Sequence, residues 1–209
     1  MAKQKGIIKL DGTIGGITFY KTTEDGYLAR EKGGVSADKI ANDPAFQRTR
    51  ENGEEFGRAG KAGKLLRNSI RAMLQNASDS RMVGRLTQKM VEVIQEDITN
   101  PRGQRNVIDG EAELLEGFEF NISGKLGTTL YAPFTGTIDR VAGTLTANIP
   151  AFVPINMLAA PGGSTHFKIV SAGAEVDFEN ETFVIDAQAT AVLPWDSAAT
   201  AVITLVNTV

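Results

Sequence analysis

The spacing of apolar residues changes character close to Gly103. Between residues 43 and 99, apolar side chains recur every three to four positions, which is typical of amphipathic helices. After residue 106, short β-rich segments alternate with turn residues at intervals of about 8–12 positions, which is typical of a β-sandwich or barrel. Strands are predicted at 118–122, 128–134, 137–140, 144–149, 166–171, 174–178, 182–185, 189–193 and 201–206. A chain that keeps the two patterns in separate regions is predicted to be an α+β protein.

Three regions follow from these patterns. Residues 1–42 are predicted to form a β-ribbon or hairpin arm, and residues 43–105 an antiparallel helix pair. Residues 106–209 are predicted to form an antiparallel β-sandwich of the Ig-like or fibronectin-like kind. Because the 209 residues include no cysteine, a sandwich built around a disulfide is excluded, whereas one without a disulfide stays open.

The amino-terminal arm combines β-forming residues with glycine turns. Its Asp11–Gly12 step lies between apolar runs and predicts a hairpin, because both residues tolerate positive φ. Gly15–Gly16 and Glu24–Gly26 mark further turns. A ribbon this thin cannot bury both faces by itself. We therefore expect it to lie on the carboxyl-terminal region, on the helices or on another subunit.

The first predicted helix begins at Asp43–Pro44, with an acceptor at the N-cap and proline at the first helical position. Its apolar stripe includes Phe46, Phe56 and Leu66. Four glycines interrupt the stripe, and each costs about 1 kcal/mol relative to alanine inside a helix. Two explanations stay open: another backbone packs closely on the glycine face, or the helix breaks near residues 57–63. The glycines are Gly53, Gly57, Gly60 and Gly63.

The second predicted helix carries its own apolar stripe and stops at Asn100–Pro101, where the residue before proline disfavours helix. A short loop between two striped segments predicts that the helices pair. The residues of the second stripe are Met82, Val83, Leu86, Met90, Val93 and Ile94.

Charge is unevenly distributed along the sequence. Residues 1–105 hold 19 basic and 13 acidic side chains, whereas residues 106–209 hold 3 basic and 12 acidic ones. One interpretation is that the basic half binds a polyanion such as nucleic acid or a membrane surface. The other is that the two halves meet, within one chain or between neighbouring subunits. Basic residues in the first half are interleaved with acidic ones, which favours the second interpretation.

The sequence lacks the residue patterns of known catalytic and cofactor sites. With no cysteine and a single histidine, His166, thiolate sites and multi-imidazole sites are excluded. Gly57–Lys64 fails as a phosphate-binding loop, because residue 58 is arginine and Leu65 replaces the hydroxyl residue. The acidic cluster at residues 177–186 lacks calcium-loop spacing. We expect no catalytic residues, cofactor or metal ion, and we expect Trp195 to be a core or interface residue.

Four segments carry a resemblance to a known family. They are Lys5–Lys21 (KGIIKLDGTIGGITFYK), Asp25–Gly34 (DGYLAREKGG), Asn42–Gly53 (NDPAFQRTRENG) and Thr165–Ala174 (THFKIVSAGA). Together they resemble a family of uncharacterised Bacteroidota-type bacterial proteins. The resemblance implies a bacterial or phage-derived setting, and it implies no activity for this chain.

The expected function is structural and not enzymatic: self-assembly, head to tail, into a filament, tube or shell. An arm that completes a neighbour's sheet would satisfy its exposed backbone groups by strand addition. No membrane span or secretory signal is expected, so the protein is either cytoplasmic or part of a virion or released assembly. The residues expected at the assembly interface are Ile7, Ile8, Leu10, Ile14, Ile17, Phe19, Tyr20, Tyr27, Leu28, Gly53, Gly57, Gly60 and Gly63.

Two alternatives remain at this point. The first is a module that binds a glycan or another protein through its sandwich loops, with Trp195 as the test residue. The second is a nucleic-acid-associated protein whose basic helix contacts phosphates. Its contact residues would be Arg48, Arg50, Arg58, Lys61, Lys64, Arg67 and Arg71.

Overall fold

A computed structural model of the chain describes residues 2–75 and 77–209. Helices and strands are mixed, and all strand pairs are antiparallel in these residues, which confirms the predicted α+β class. The strands are β1 (Ala2–Lys3), β2 (Gly12–Ile14), β3 (Ile17–Thr22), β4 (Gly26–Glu31), β5 (Thr135–Asp139), β6 (Thr144–Ile149), β7 (His166–Phe167), β8 (Val170–Asp177), β9 (Thr182–Ala189), β10 (Leu193–Pro194) and β11 (Ile203–Thr208). The α-helices are α1 (Ala37–Asn42), α2 (Gln47–Ser69), α3 (Arg71–Leu74), α4 (Met82–Gln95), α5 (Leu126–Thr129) and α6 (Pro154–Met157), with single 3-10 turns at Pro44–Phe46 and Ala112–Leu115.

The chain divides into two compact units, residues 1–50 and residues 51–209. The first unit contains a four-stranded sheet in the order β1-β4-β3-β2. Gly15–Gly16 makes the two-residue turn between β2 and β3, as the sequence predicts, with Gly15 at φ +58°. The β3–β4 turn ends at Gly26, also at positive φ, and the hydroxyl of Thr22 accepts the N–H of Asp25.

The prediction of a hairpin at Asp11–Gly12 is wrong. Gly12 begins β2, and residues 4–11 form a loop that joins the two outer strands of the sheet. The side chain of Gln4 closes this loop: its Oε1 accepts the N–H of Leu10 at 2.8 Å, and its Nε2 donates to the carbonyl of Leu28 at 2.9 Å. Ile7, Ile8 and Leu10 therefore lie in a loop and not in a strand.

The long helix begins as predicted and does not break at its glycines. Asp43 caps the 3-10 turn, where its Oδ1 accepts the N–H of Ala45, and α2 then runs without interruption to Ser69. Its buried face is not the predicted one, because Phe56 is exposed, whereas Glu55, Ala59 and Ala62 are buried. Small residues, not the aromatic one, face the core.

The helical core of the second unit lies between α2 and α4. The predicted stripe of α4 is buried except for Val83, which is exposed. Gly63 of α2 lies against Leu86 and Met90, whose side chains would be 3.6 and 3.7 Å from an added Cβ. Residues from the carboxyl-terminal region also pack on this core: Leu114, Leu115, Phe118, Phe120 and Phe178.

Two buried carboxylates hold the loop that follows α4. Asp97 accepts the backbone N–H groups of Thr99, Asn100 and Asn106 at 2.8–3.0 Å, and Glu55 accepts that of Gly103 at 2.8 Å. Burial raises the pKa of Asp97, but these hydrogen bonds outweigh it and lower the pKa to about 2.

Five strands of the second unit form two stacked layers, and β7 and β10 pair in a separate two-stranded sheet. One layer is a three-stranded sheet in the order β11-β6-β5, and the other is the β8–β9 hairpin, which lies over β11 and β6. The layers approach closely at Gly173, where an added Cβ would come within 2.8 Å of Leu145 and 2.9 Å of Asn207. Ile149, Ile203 and Leu205 lie on the same face of the three-stranded sheet as Leu145 and Asn207. They form a hydrophobic cluster with Leu130, Ala132 and Phe152.

The strand predictions for residues 106–209 are confirmed only in part. The predicted strand 144–149 coincides with β6. No strand forms at 118–122, because Phe118 and Phe120 pack edge to face, 4.9 Å apart, on the helical core. At 128–134 the prediction is also wrong: α5 occupies Leu126–Thr129, and Leu130 makes a single bridge to Leu158.

Candidate assembly surface

The sheet of the first unit has two faces with different residues. Because side chains alternate along a strand, the register places Ile14, Ile17 and Phe19 on one face, together with Tyr27. Tyr20 and Leu28 lie on the opposite face. The predicted interface residues of β2, β3 and β4 are thus divided between the two faces of the sheet.

Almost nothing in this unit is buried. Among residues 2–50, all of which the structure describes, Leu28 is the only buried one, at 5% exposure. Ile14 and Ile17 are exposed although each is a large apolar side chain. With one buried side chain, this unit lacks a hydrophobic core of its own. A small sheet becomes stable in water only when an apolar face packs against another part of the protein or another chain.

The loop of residues 4–11 carries the most exposed apolar side chains of the unit. Ile7 is fully exposed and Ile8 is 81% exposed. In the described part of the chain, the backbone N–H groups of residues 6–9 have no hydrogen-bond partner. The loop therefore presents apolar side chains and unpaired backbone donors together.

Cations and tyrosines pair on both faces of the sheet. The ammonium group of Lys21 lies 5.4 Å from the ring centroid of Tyr27, and the guanidinium of Arg30 lies 5.3 Å from that of Tyr20. These distances are within the range of cation–π attraction. Both tyrosine rings thus have basic neighbours from their own unit.

The four glycines of α2 are not equivalent. A Cβ added at Gly53, Gly57 or Gly60 would meet no atom within 4 Å, so that strip of helix surface is open. Gly63 is buried in the helical core of its own chain. The first three remain open to close approach by another backbone.

Several basic residues of the nucleic-acid hypothesis bind backbone carbonyls of their own unit. Arg50 donates to Ile40 and Asp43, and Arg58 donates to Gly103 at 2.6 Å and to Arg105 at 3.1 Å. Arg67 donates to Gly63 at 3.2 Å. These guanidinium groups stabilise helix ends and loops.

The two aspartates of the acidic cluster at residues 177–186 are hydrogen-bonded within the chain. The side-chain amide of Asn180 and the backbone N–H groups of Asn180 and Glu179 donate to Asp177 in the β8–β9 turn, and these bonds lower its pKa. Asp186 accepts the N–H of Thr208 at 3.0 Å. Among the described residues, no three His, Asp or Glu side chains are grouped to hold a metal ion.

The two remaining candidate residues, His166 and Trp195, also form hydrogen bonds within the chain. The ring Nδ1 of His166 lies 2.9 Å from the hydroxyl of Thr165. Trp195 is half-buried, and its indole N–H donates to the carbonyl of Leu158 at 3.1 Å. A half-buried indole with its N–H bonded inside the chain is typical of a packing residue.

A groove that the sequence did not reveal runs beside the second layer. Since Leu145 of β6 faces the β8–β9 hairpin, its pairing partner Ile138 of β5 faces the same side, yet Ile138 is 66% exposed. Two adjoining clefts of about 310 and 440 Å³ share these two residues. One wall is β8, with Ala172 and Ala174. No local sequence pattern marks the groove, because it joins Ile138 and Leu145 with two residues of β8 that lie 27 to 36 positions later in the chain.

Comparisons of the chain with protein-family models, with curated proteins and with solved structures give no match. No helix in residues 2–75 and 77–209 is long and apolar enough to cross a bilayer.

Proposed function

We propose that this protein is a non-enzymatic structural subunit that assembles with copies of itself, head to tail, into a filament, tube or shell. The observation that carries the proposal is the exposure of the first unit. Only one of residues 2–50 is buried, and several isoleucines are exposed. Contact with a second copy would supply the apolar cover that this sheet lacks.

Charge supports a head-to-tail arrangement. Residues 1–50 hold 9 basic and 6 acidic side chains, whereas residues 106–209 hold 3 basic and 12 acidic ones. Opposite charges favour contact between unlike surfaces of two copies, and such heterologous contacts produce rings or filaments. The same distribution disfavours contact between two like surfaces.

Two further parts of the proposal concern the setting and the fold type. The stacked layers of the second unit are proposed to be a small sandwich of the Ig-like or fibronectin-like kind. The resemblance of the amino-terminal segments supports a bacterial or phage-derived source. A subunit of a virion or of another released assembly is compatible with both.

The first test is a double substitution, Ile7→Ser with Ile8→Ser. Both side chains are exposed, so the variant should fold, and it should lose multimers because the apolar contact is removed. Light scattering coupled to size exclusion measures the mass, and negative-stain electron microscopy records the assemblies. Ile98→Ser is the matched control, since Ile98 is an equally exposed isoleucine of the second unit.

A truncation extends this test. Deleting residues 1–34 removes the whole sheet of the first unit, and the remaining chain should be monomeric. If the complete protein is itself monomeric at every concentration and forms no particles, the assembly proposal is wrong.

A further inference from the structure

We infer that residues 5–10 of one copy bind, as an added strand, in the groove beside β8 of the next copy. This inference rests on the proposed self-assembly and names its acceptor site. It commits to one occupant, a second copy of this chain.

The layers of the second unit leave a place for one more strand. The lower sheet has three strands, but the upper layer has only β8 and β9, which cover β11 and β6. The face of β5 is left open, as the exposure of Ile138 indicates. A strand next to β8, about 4.8 Å from it and about 10 Å above the lower sheet, would complete the upper layer.

The edge of β8 that faces this groove is free to pair. In the described residues β8 pairs only with β9, so its other edge presents unpaired N–H and C=O groups. Such an edge is a ready template for another chain. The backbone N–H groups of residues 6–9 are likewise unpaired, so both partners have groups to satisfy.

Side chains of the segment suit the groove. Pairing with β8 requires Gln4 to release the backbone N–H and C=O of Leu10, which its side chain binds in the loop. In the resulting extended strand Ile8 and Leu10 point to the same side, because side chains alternate. The floor offers Ile138 and Leu145 to these two residues.

The charges of segment and groove are complementary. Residues 5–10 hold two lysines, Lys5 and Lys9, and no acidic residue. One end of the groove is lined by Asp139 and Glu175, with Arg140 as its only basic residue among those described. Attraction between opposite charges orients the partner as it approaches.

Introduced cysteines test this contact directly, because the natural chain has none. Two single variants, Ile8→Cys and Ile138→Cys, are mixed and oxidised, and non-reducing electrophoresis measures the covalent dimer. The control replaces Ile138→Cys by Thr137→Cys, whose side chain is also exposed but points to the opposite face of β5. We expect a heterodimer band from the first mixture and its loss in the control.

Light scattering on the same samples separates the possible outcomes. If the samples contain multimers but show no heterodimer band, or show equal bands in both mixtures, the groove is not the acceptor site. Self-assembly itself is then still supported. Monomers without a band overturn self-assembly and this inference with it. In the Ile8→Cys/Ile138→Cys double variant, a disulfide confined to one chain also overturns the inference, because each segment would then fill its own groove.

Discussion

Asp97 illustrates how one carboxylate organises a loop in this protein. It is 2% exposed, and its two oxygens accept three backbone N–H groups and the side-chain amide of Asn100. The charged form is favoured by these donors, which is why its pKa falls to about 2 despite burial. The loop therefore depends on an ionised residue 97.

The pH dependence of stability follows from that pKa. The value is lower in the folded chain than the ordinary value of 3.8, so the stabilisation by Asp97 is complete above about pH 4 and is lost as the pH falls toward 2. Urea denaturation at a series of pH values should show this loss. Asp97→Asn should lower the free energy of unfolding at pH 7 and flatten the acid dependence, whereas Glu96→Gln, an exposed neighbour, should leave both unchanged. An unaltered acid profile in Asp97→Asn would contradict this explanation.

At the scale of elements, α2 remains continuous although glycine weakens helices. Tertiary packing accounts for this, because Ala59, Ala62 and Gly63 sit against α4. A helix interior can tolerate several glycines when one face is held by a core. Periodicity alone could not show which small residues form that face, and so Phe56 was wrongly assigned to it.

Alanine substitutions at the open glycines of α2 test two effects separately: the effect of glycine on the stability of the helix, and its role in contact with a second copy. Gly57→Ala and Gly60→Ala add a Cβ in open space and should each raise the free energy of unfolding by about 1 kcal/mol. If a second copy packs on this strip, the same variants should also reduce the multimer fraction. Urea denaturation and light scattering measure the two effects. Gly103→Ala is the contrast: its φ is +88°, a Cβ would lie 2.9 Å from Glu51, and stability should fall.

Local signals predicted part of the fold, and long-range contacts decided the rest. Gly15–Gly16 and Asp43–Pro44 were found because turns and caps are determined by adjacent residues. The prediction of a hairpin at Asp11–Gly12 is wrong because the side chain of Gln4 closes a loop there that no short pattern encodes. The groove beside β8 lay beyond sequence analysis for the same reason: Leu145 and Gly173 meet only in the fold.

At the scale of the whole molecule, the charge distribution predicts a salt dependence. Attraction between the basic first unit and the acidic residues after 106 weakens when ions screen it, since the Debye length falls from about 10 Å at 0.1 M salt to about 3 Å at 1 M. Raising sodium chloride from about 0.05 M to about 0.5 M should therefore lower the multimer fraction. Sedimentation velocity measures that fraction.

A charge variant provides the control for this experiment. Replacing Lys3, Lys5 and Lys9 by glutamine should reduce both the multimer fraction at low salt and its sensitivity to salt. A multimer fraction that rises with sodium chloride, in the natural chain and the variant alike, would mean that apolar contact alone drives association.

The close approach at Gly173 limits how this protein can vary. Any side chain there would push against Leu145 and Asn207 and separate the two layers. Ala172 and Ala174, one position away on either side, point away from that contact. Substitutions accumulated over generations would therefore spare residue 173 while its neighbours change, because the absence of a side chain at Gly173 sets the distance between the two layers.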